Sequence, residues 1–83
     1  MRKKYYVLIK GRRRGIYDCW EECRCQVEDF YGAVYRGFET LEDAVSYIEE
    51  KMTEPECYYL NMHGIKELYR NLNEFINRIY FMN

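Results

Sequence analysis

Residues 5–48 read YYVLIKGRRRGIY (5–17), DCWEECRCQVEDF (18–30) and YGAVYRGFETLEDAVSYI (31–48), and their order decides the fold. Residues 4–9 are β-branched and aromatic, the composition of a strand. Gly11 and Gly15 bound Arg12, Arg13 and Arg14, and two glycines permit a tight reversal there. Gly15–Tyr17 is then expected to pair back as a short second strand. Asp18 stands as an N-cap with Glu21 three residues on, a capping-box spacing. Trp20, Cys23, Val27 and Phe30 follow at helical intervals, so a first helix is expected to run to about Phe30. Ala33–Phe38 returns to an extended pattern, with Val34, Arg36 and Phe38 on one face and Tyr35 on the other. Thr40 caps a second helix, with Glu42 and Asp43 in its first turn and Leu41, Ala44, Val45 and Ile48 as its apolar stripe.

Working outward, Thr53–Cys57 contains Pro55, the only proline, and reads as a linker. Tyr58–Met62 fits either a strand or the start of a helix. Past Gly64, the residues Ile65, Leu68, Tyr69, Leu72, Phe75, Ile76, Ile79 and Tyr80 recur at spacings of three and four. That periodicity predicts one long amphipathic helix. Two units are therefore expected: a compact domain over 1–52, then a linker and C-terminal helix over 53–83 packed on that domain or on a partner.

At 83 residues the chain sits near the lower size limit for a domain that folds unaided. Its aromatic fraction of 18% supplies much apolar area per residue, which offsets the small core. The formal charge of −1 hides an asymmetry. Residues 1–15 hold seven basic side chains and no acid, whereas the remainder holds six against fourteen acids. The balance disfavours a general polyanion binder and favours a local anion-facing patch at the N-terminus, with salt-sensitive binding. No apolar run is long enough for a membrane span, and VLI is too short for a secretory signal. The four cysteines are expected to be reduced thiols of a cytoplasmic protein.

Cys19 and Cys23 share a helix face, but Cys25 points elsewhere and Cys57 lies beyond the linker. This lacks the paired spacing of a zinc site, so no metal or cofactor is expected and Cys23 is assigned to the core. His63, the only histidine, has no acid–nucleophile set around it.

The strings quoted above resemble the N-terminal, hybrid-binding domain of ribonuclease H1, a module shared with caulimovirus viroplasmin proteins. The likeness covers about residues 4–50: an aromatic strand, a KGR-type turn, a W-x-E-C helix, an aromatic–basic strand ending in Phe, and a T-x-E-D-A helix. The resemblance implies an α+β fold, a small three-stranded antiparallel sheet with two packed helices, here with an extra C-terminal amphipathic helix. It also implies binding of RNA/DNA hybrids or double-stranded RNA without catalysis. By position, the contacts would be Tyr6, Trp20, Tyr35 and Arg36, with Arg12, Arg13 and Arg14 adding charge. Main-chain groups of Asp29, Phe30 and Gly32 would meet RNA 2′-hydroxyls. The family's second basic residue on the third strand is here Gly37, and Val34 stands where some members are basic.

The expected function is therefore a non-catalytic module preferring RNA-containing duplexes, since the carboxylate cluster of a nuclease has no domain to carry it in residues 51–83. The alternative is a protein-binding module, such as a small phage or viral inhibitor of a host nucleoprotein complex of CRISPR type. It would use Leu68, Leu72, Phe75, Ile76 and Ile79 against a partner or a second copy.

Overall fold

A computed structural model describes residues 3–52 and 57–81. Its elements are β1 (Tyr5–Lys10), β2 (Gly15–Tyr17), α1 (Trp20–Val27), β3 (Val34–Phe38), α2 (Leu41–Lys51), β4 (Tyr58–Met62), β5 (Ile65–Tyr69) and α3 (Leu72–Phe81). The α+β class and the order of elements through α2 follow the sequence reading. The Pro55 linker, residues 53–56, lies outside the described residues.

The sheet has five strands in the order β3-β1-β2-β4-β5, not three. Neighbours are antiparallel except β2 and β4, which run parallel with Ile16 opposite Leu60. Of the added strands, β4 takes the Tyr58–Met62 segment that fits either a strand or a helix start, and β5 takes the first part of the expected long helix. His63 (φ 53°) and Gly64 (φ 80°) supply two successive positive-φ residues between Met62 and Ile65. This is the conformation of a two-residue hairpin turn whose twist matches the flanking strands. Residues 65–69 consequently form a strand, and α3 starts only at Leu72, where Asn71 caps it by accepting from the amides of Asn73 (2.7 Å) and Glu74 (3.3 Å). Glu67 accepts from the Tyr69 hydroxyl (2.6 Å) and Arg78 Nε (3.3 Å), which ties β5 to α3 and holds the carboxyl below its ordinary range.

Two other local expectations are adjusted. Helix α1 ends at Val27 rather than Phe30, because Asp29 turns into positive φ (60°). Asp18 does not cap α1. Cys19 occupies the N-cap without a side-chain bond, while Asp18 Oδ2 accepts from the His63 amide (2.8 Å) and so pins the β4–β5 turn. Thr40 caps α2 as expected, accepting from the Asp43 amide at 3.2 Å.

Alternation along the strands sorts side chains to two faces. On one face α2 and α3 cover a core of Val7, Ile16, Val45, Ile48, Leu60, Met62, Phe75 and Ile79, all at most 3% exposed. On the other, the eight-residue α1 packs on Leu8 and Tyr17 through Cys23, with Tyr6, Trp20, Val27 and Tyr59 around them. Helix α3 thus completes the chain's own core. Phe75, Ile76 and Ile79, at 0%, 8% and 0% exposure, each contribute about 2 kcal/mol by burial. They are buried within the fold; Leu72 also packs on the core, and Leu68 of that group stays exposed.

Candidate nucleic-acid interface

Because α1 is short, it covers only the middle of its sheet face. On its β3 side a row of rings stays partly open. Tyr6 from β1 lies 5.4 Å from Trp20 at the start of α1, and Trp20 lies 5.5 Å from Tyr35 of β3. Both contacts are tilted, at 51° and 42°, a favourable aromatic geometry. Tyr6 and Trp20 also pack against the small core under α1, whereas Tyr35 is 46% exposed. Trp20 therefore serves both as core and as surface.

Gly37 sits opposite Tyr6 on the adjacent strand. A Cβ at Gly37 would fall 3.1 Å from Lys3 Cγ and 3.3 Å from Tyr6 Cε1, so the missing side chain leaves the groove in which the Lys3 stem rests. The Tyr6 hydroxyl donates to the Lys3 carbonyl (3.4 Å). An exposed cation from the N-terminal arm thus borders the ring row beside Gly37, a placement that a reading by strand position alone misses.

Arg36 is placed apart from the three rings. It pairs with Val7, while Tyr35 pairs with Leu8, so the two neighbours leave opposite faces of the sheet. The Arg36 guanidinium lies over Phe38 (5.5 Å) and Tyr47 (5.6 Å), beside a cleft that also includes Glu39, Asp43 and Glu50.

At the far end of α1, the loop over 29–33 carries Asp29 and Gly32 at positive φ. The Phe30 amide donates to Val27, and its carbonyl accepts from Ala33 (3.3 Å). Tyr31 is 99% exposed. Lys10 reaches this loop, with its Nζ 3.5 Å from where a Gly32 Cβ would stand.

The three arginines of the turn have distinct settings. Arg12 donates from one guanidinium nitrogen to the carbonyls of Cys25 (3.2 Å) and Glu28 (2.6 Å), and its amide donates to Gln26 (3.0 Å). It thereby satisfies the carbonyls that a helix leaves open at its C-terminus. Arg13 lies over the Tyr59 ring (5.1 Å) and Arg14 over Tyr58 (5.3 Å).

Cys23 is fully buried, and burial pushes its thiol up to about 11; Cys19, Cys25 and Cys57 are exposed. Among the described residues no group of three or more His, Cys, Asp or Glu side chains is arranged to hold a metal. Nor, among the described residues, is any helix long and apolar enough to cross a membrane.

A sheet face carrying a short helix between an aromatic row and a basic turn is the arrangement of a small α+β domain. A family model described as Ribonuclease H1 N-terminal domain matches residues 4–48, and the chain belongs to that family. It is 48% identical over 48 residues to ribonuclease H of Crithidia fasciculata, a match covering 58% of this chain and 10% of that protein. With ribonuclease H of Saccharomyces cerevisiae it shares 41% over 49 residues, or 59% of this chain and 14% of the relative. With ribonuclease H1 of Homo sapiens it shares 34% over 62 residues, or 72% and 21%. The chain thus spans about a tenth to a fifth of the length of these relatives. The family's matched region is their N-terminal domain and not the catalytic one. No solved structure matches the chain significantly.

Proposed function

We propose that this chain is a non-catalytic module that binds nucleic-acid duplexes containing RNA. The observation that carries the reading is the row Tyr6–Trp20–Tyr35, bordered by Lys3 and joined through Trp20 to the helix whose other end leads to the 29–33 loop. Such a row suits a sugar–phosphate backbone: ring faces pack on sugars, and the tyrosine hydroxyl and indole N–H donate to phosphate oxygens. A-form duplexes display 2′-hydroxyls across a wide, shallow minor groove, so the backbone of Asp29, Phe30 and Gly32 can distinguish RNA without reading bases. Lys10 beside Gly32 and Arg12 supply charge at the same helix end, and Arg13 and Arg14 supply charge at the start of β4. The membership in a family named for ribonuclease H1 supports the reading, as does the seven-to-none basic balance of residues 1–15. Arg36 contributes from the sheet edge, on the opposite face, and is assigned the smaller share. The working site is the cytoplasm or, for a viral source, the host cytoplasm.

The test is fluorescence anisotropy with RNA/DNA hybrid, double-stranded RNA and double-stranded DNA of about 16 base pairs, at salt from about 50 to about 200 mM. Tighter binding to the two RNA-containing duplexes, weakened by salt and by Tyr35→Ala, is expected. Equal affinity for all three, or none at low salt, sinks the reading.

A further inference from the structure

We propose that the cleft at the arginine turn is a second phosphodiester site, which takes the backbone of a bound duplex where it continues past the 29–33 loop. The inference rests on the nucleic-acid reading above and extends it from the arginine turn to Cys57 and Leu68, which lie beyond the residues 4–48 matched by the family model. The cleft, about 340 Å³, lies where the β1–β2 turn meets the start of β4 and the end of β5. Gly11, Arg12, Arg13, Arg14, Cys57 and Leu68 line it.

Its cations are held in place before any ligand arrives. Arg12 is fixed by the carbonyls of Cys25 and Glu28, Arg13 by the face of Tyr59 and Arg14 by that of Tyr58. Guanidinia already ordered by packing lose less freedom on binding, and their planar forks match phosphate oxygens in pairs. Tyr58 and Tyr59 leave opposite faces of β4, so Arg13 and Arg14 straddle the start of that strand. Lys10 stands at Gly32, Arg12 at the end of α1 beside Glu28 and Asp29, and Arg13 over Tyr59, so several cations lie between the 29–33 loop and the start of β4. Several separate cations suit a polymer with repeated charge better than a single small anion. Tyr58, Tyr59 and Leu68 belong to the β4–β5 hairpin, so this chain's C-terminal segment builds half of the site.

Two measurements test it on the full chain. In amide-resolved NMR, inorganic phosphate is expected to shift Arg13, Arg14, Cys57 and Leu68, and Arg13→Gln to abolish those shifts. Shifts confined to Lys3 and Lys10, or none, overturn the inference. In a hybrid length series from about 8 to about 16 base pairs, Arg13→Gln should spare binding to the shortest duplex. It should weaken the longest several-fold and lower its salt slope by about one. Equal loss at every length, or no loss, overturns the proposal even if phosphate enters the cleft. If Tyr35→Ala abolishes binding while Arg13→Gln changes nothing, this inference alone fails; if the wild type binds no duplex, both fail.

Discussion

Gly15 abuts Tyr59 so closely that a Cβ on Gly15 would fall 1.8 Å from the Tyr59 carbonyl oxygen. The contact is backbone on both sides, with the Tyr59 amide donating to Arg14 (2.8 Å), and no rotamer change can relieve it. Gly15→Ala must part β2 from β4 and should cost about 3 kcal/mol. Urea denaturation checks this; a loss below about 1 kcal/mol would contradict the parallel pairing.

The C-terminal third is expected to be required for folding. Tyr58, Leu60, Met62, Phe75 and Ile79 are fully buried with Val7, Ile16 and Ile48 in a single cluster. At about 2 kcal/mol each, their removal exceeds the margin of a small domain. A chain ending at Met52 should lose its cooperative urea transition. A transition with the full-length midpoint would refute this.

Arg12 is expected to act first as a cap. Arg12→Ala should lower stability by about 1–2 kcal/mol, and Arg12→Lys should restore much of it, because one nitrogen makes both carbonyl bonds and an ammonium also offers several donors from one atom. Hydrogen exchange at the α1 C-terminus should quicken in the alanine variant, without a comparable change in α2. Unchanged exchange at that end would remove the capping role.

The opposite orientations of Tyr35 and Arg36 give a separable binding prediction. Tyr35→Ala should reduce hybrid affinity about tenfold, in line with the roughly 1.5 kcal/mol of one hydrogen bond to a charged phosphate, with little change in urea midpoint. Arg36→Ala should reduce it less. The reverse ranking would move the interface to the α2 face of the sheet.

Alkali should destabilise the fold. Burial raises the Cys23 thiol from 9.0 to about 11, and burial followed by the neighbouring Cys23 and Tyr59 raises the Tyr17 phenol above its ordinary value. The unfolded chain releases these protons first, so stability should hold below pH 9 and fall as pH rises through 11. Urea midpoints across that range should decline, less steeply for Cys23→Ala. A flat profile would show that neither group is buried as described.

The first fifty residues were legible because their signals are local: the KYYVLI strand, the glycine-bounded turn, and Thr40 ahead of Glu42 and Asp43. The error at 65–69 has a definite source. Ile65, Leu68, Tyr69 and Leu72 fall at spacings of three, four and seven, which mimic a helix although the first three belong to a strand. The correcting signal was the His63–Gly64 pair, a two-residue turn flanked by apolar residues. The α3 stripe of Leu72, Phe75, Ile76 and Ile79 is legible from the same periodicity, because there the spacing does belong to a helix. For the candidate interface, the alternation that separates Tyr35 from Arg36 is visible in sequence, whereas Lys3 lying in the groove at Gly37 is not. Nor is Arg12 at the carbonyls of Cys25 and Glu28, since that contact depends on how the hairpin tip folds over the helix end.

The parallel pairing of β2 with β4 also orders events during synthesis. Residues through α2 leave the ribosome while β2 still lacks its second neighbour, and an uncovered strand edge is a template for pairing with another chain. Closure across so long a connection is slow compared with forming a hairpin. The β4–β5 hairpin shortens that delay, because its two-residue turn lets it form locally and arrive as one piece. Faster translation of the codons from Tyr58 onward should therefore raise soluble yield, since the last third of the chain is what seals the sheet against its neighbours in the cell.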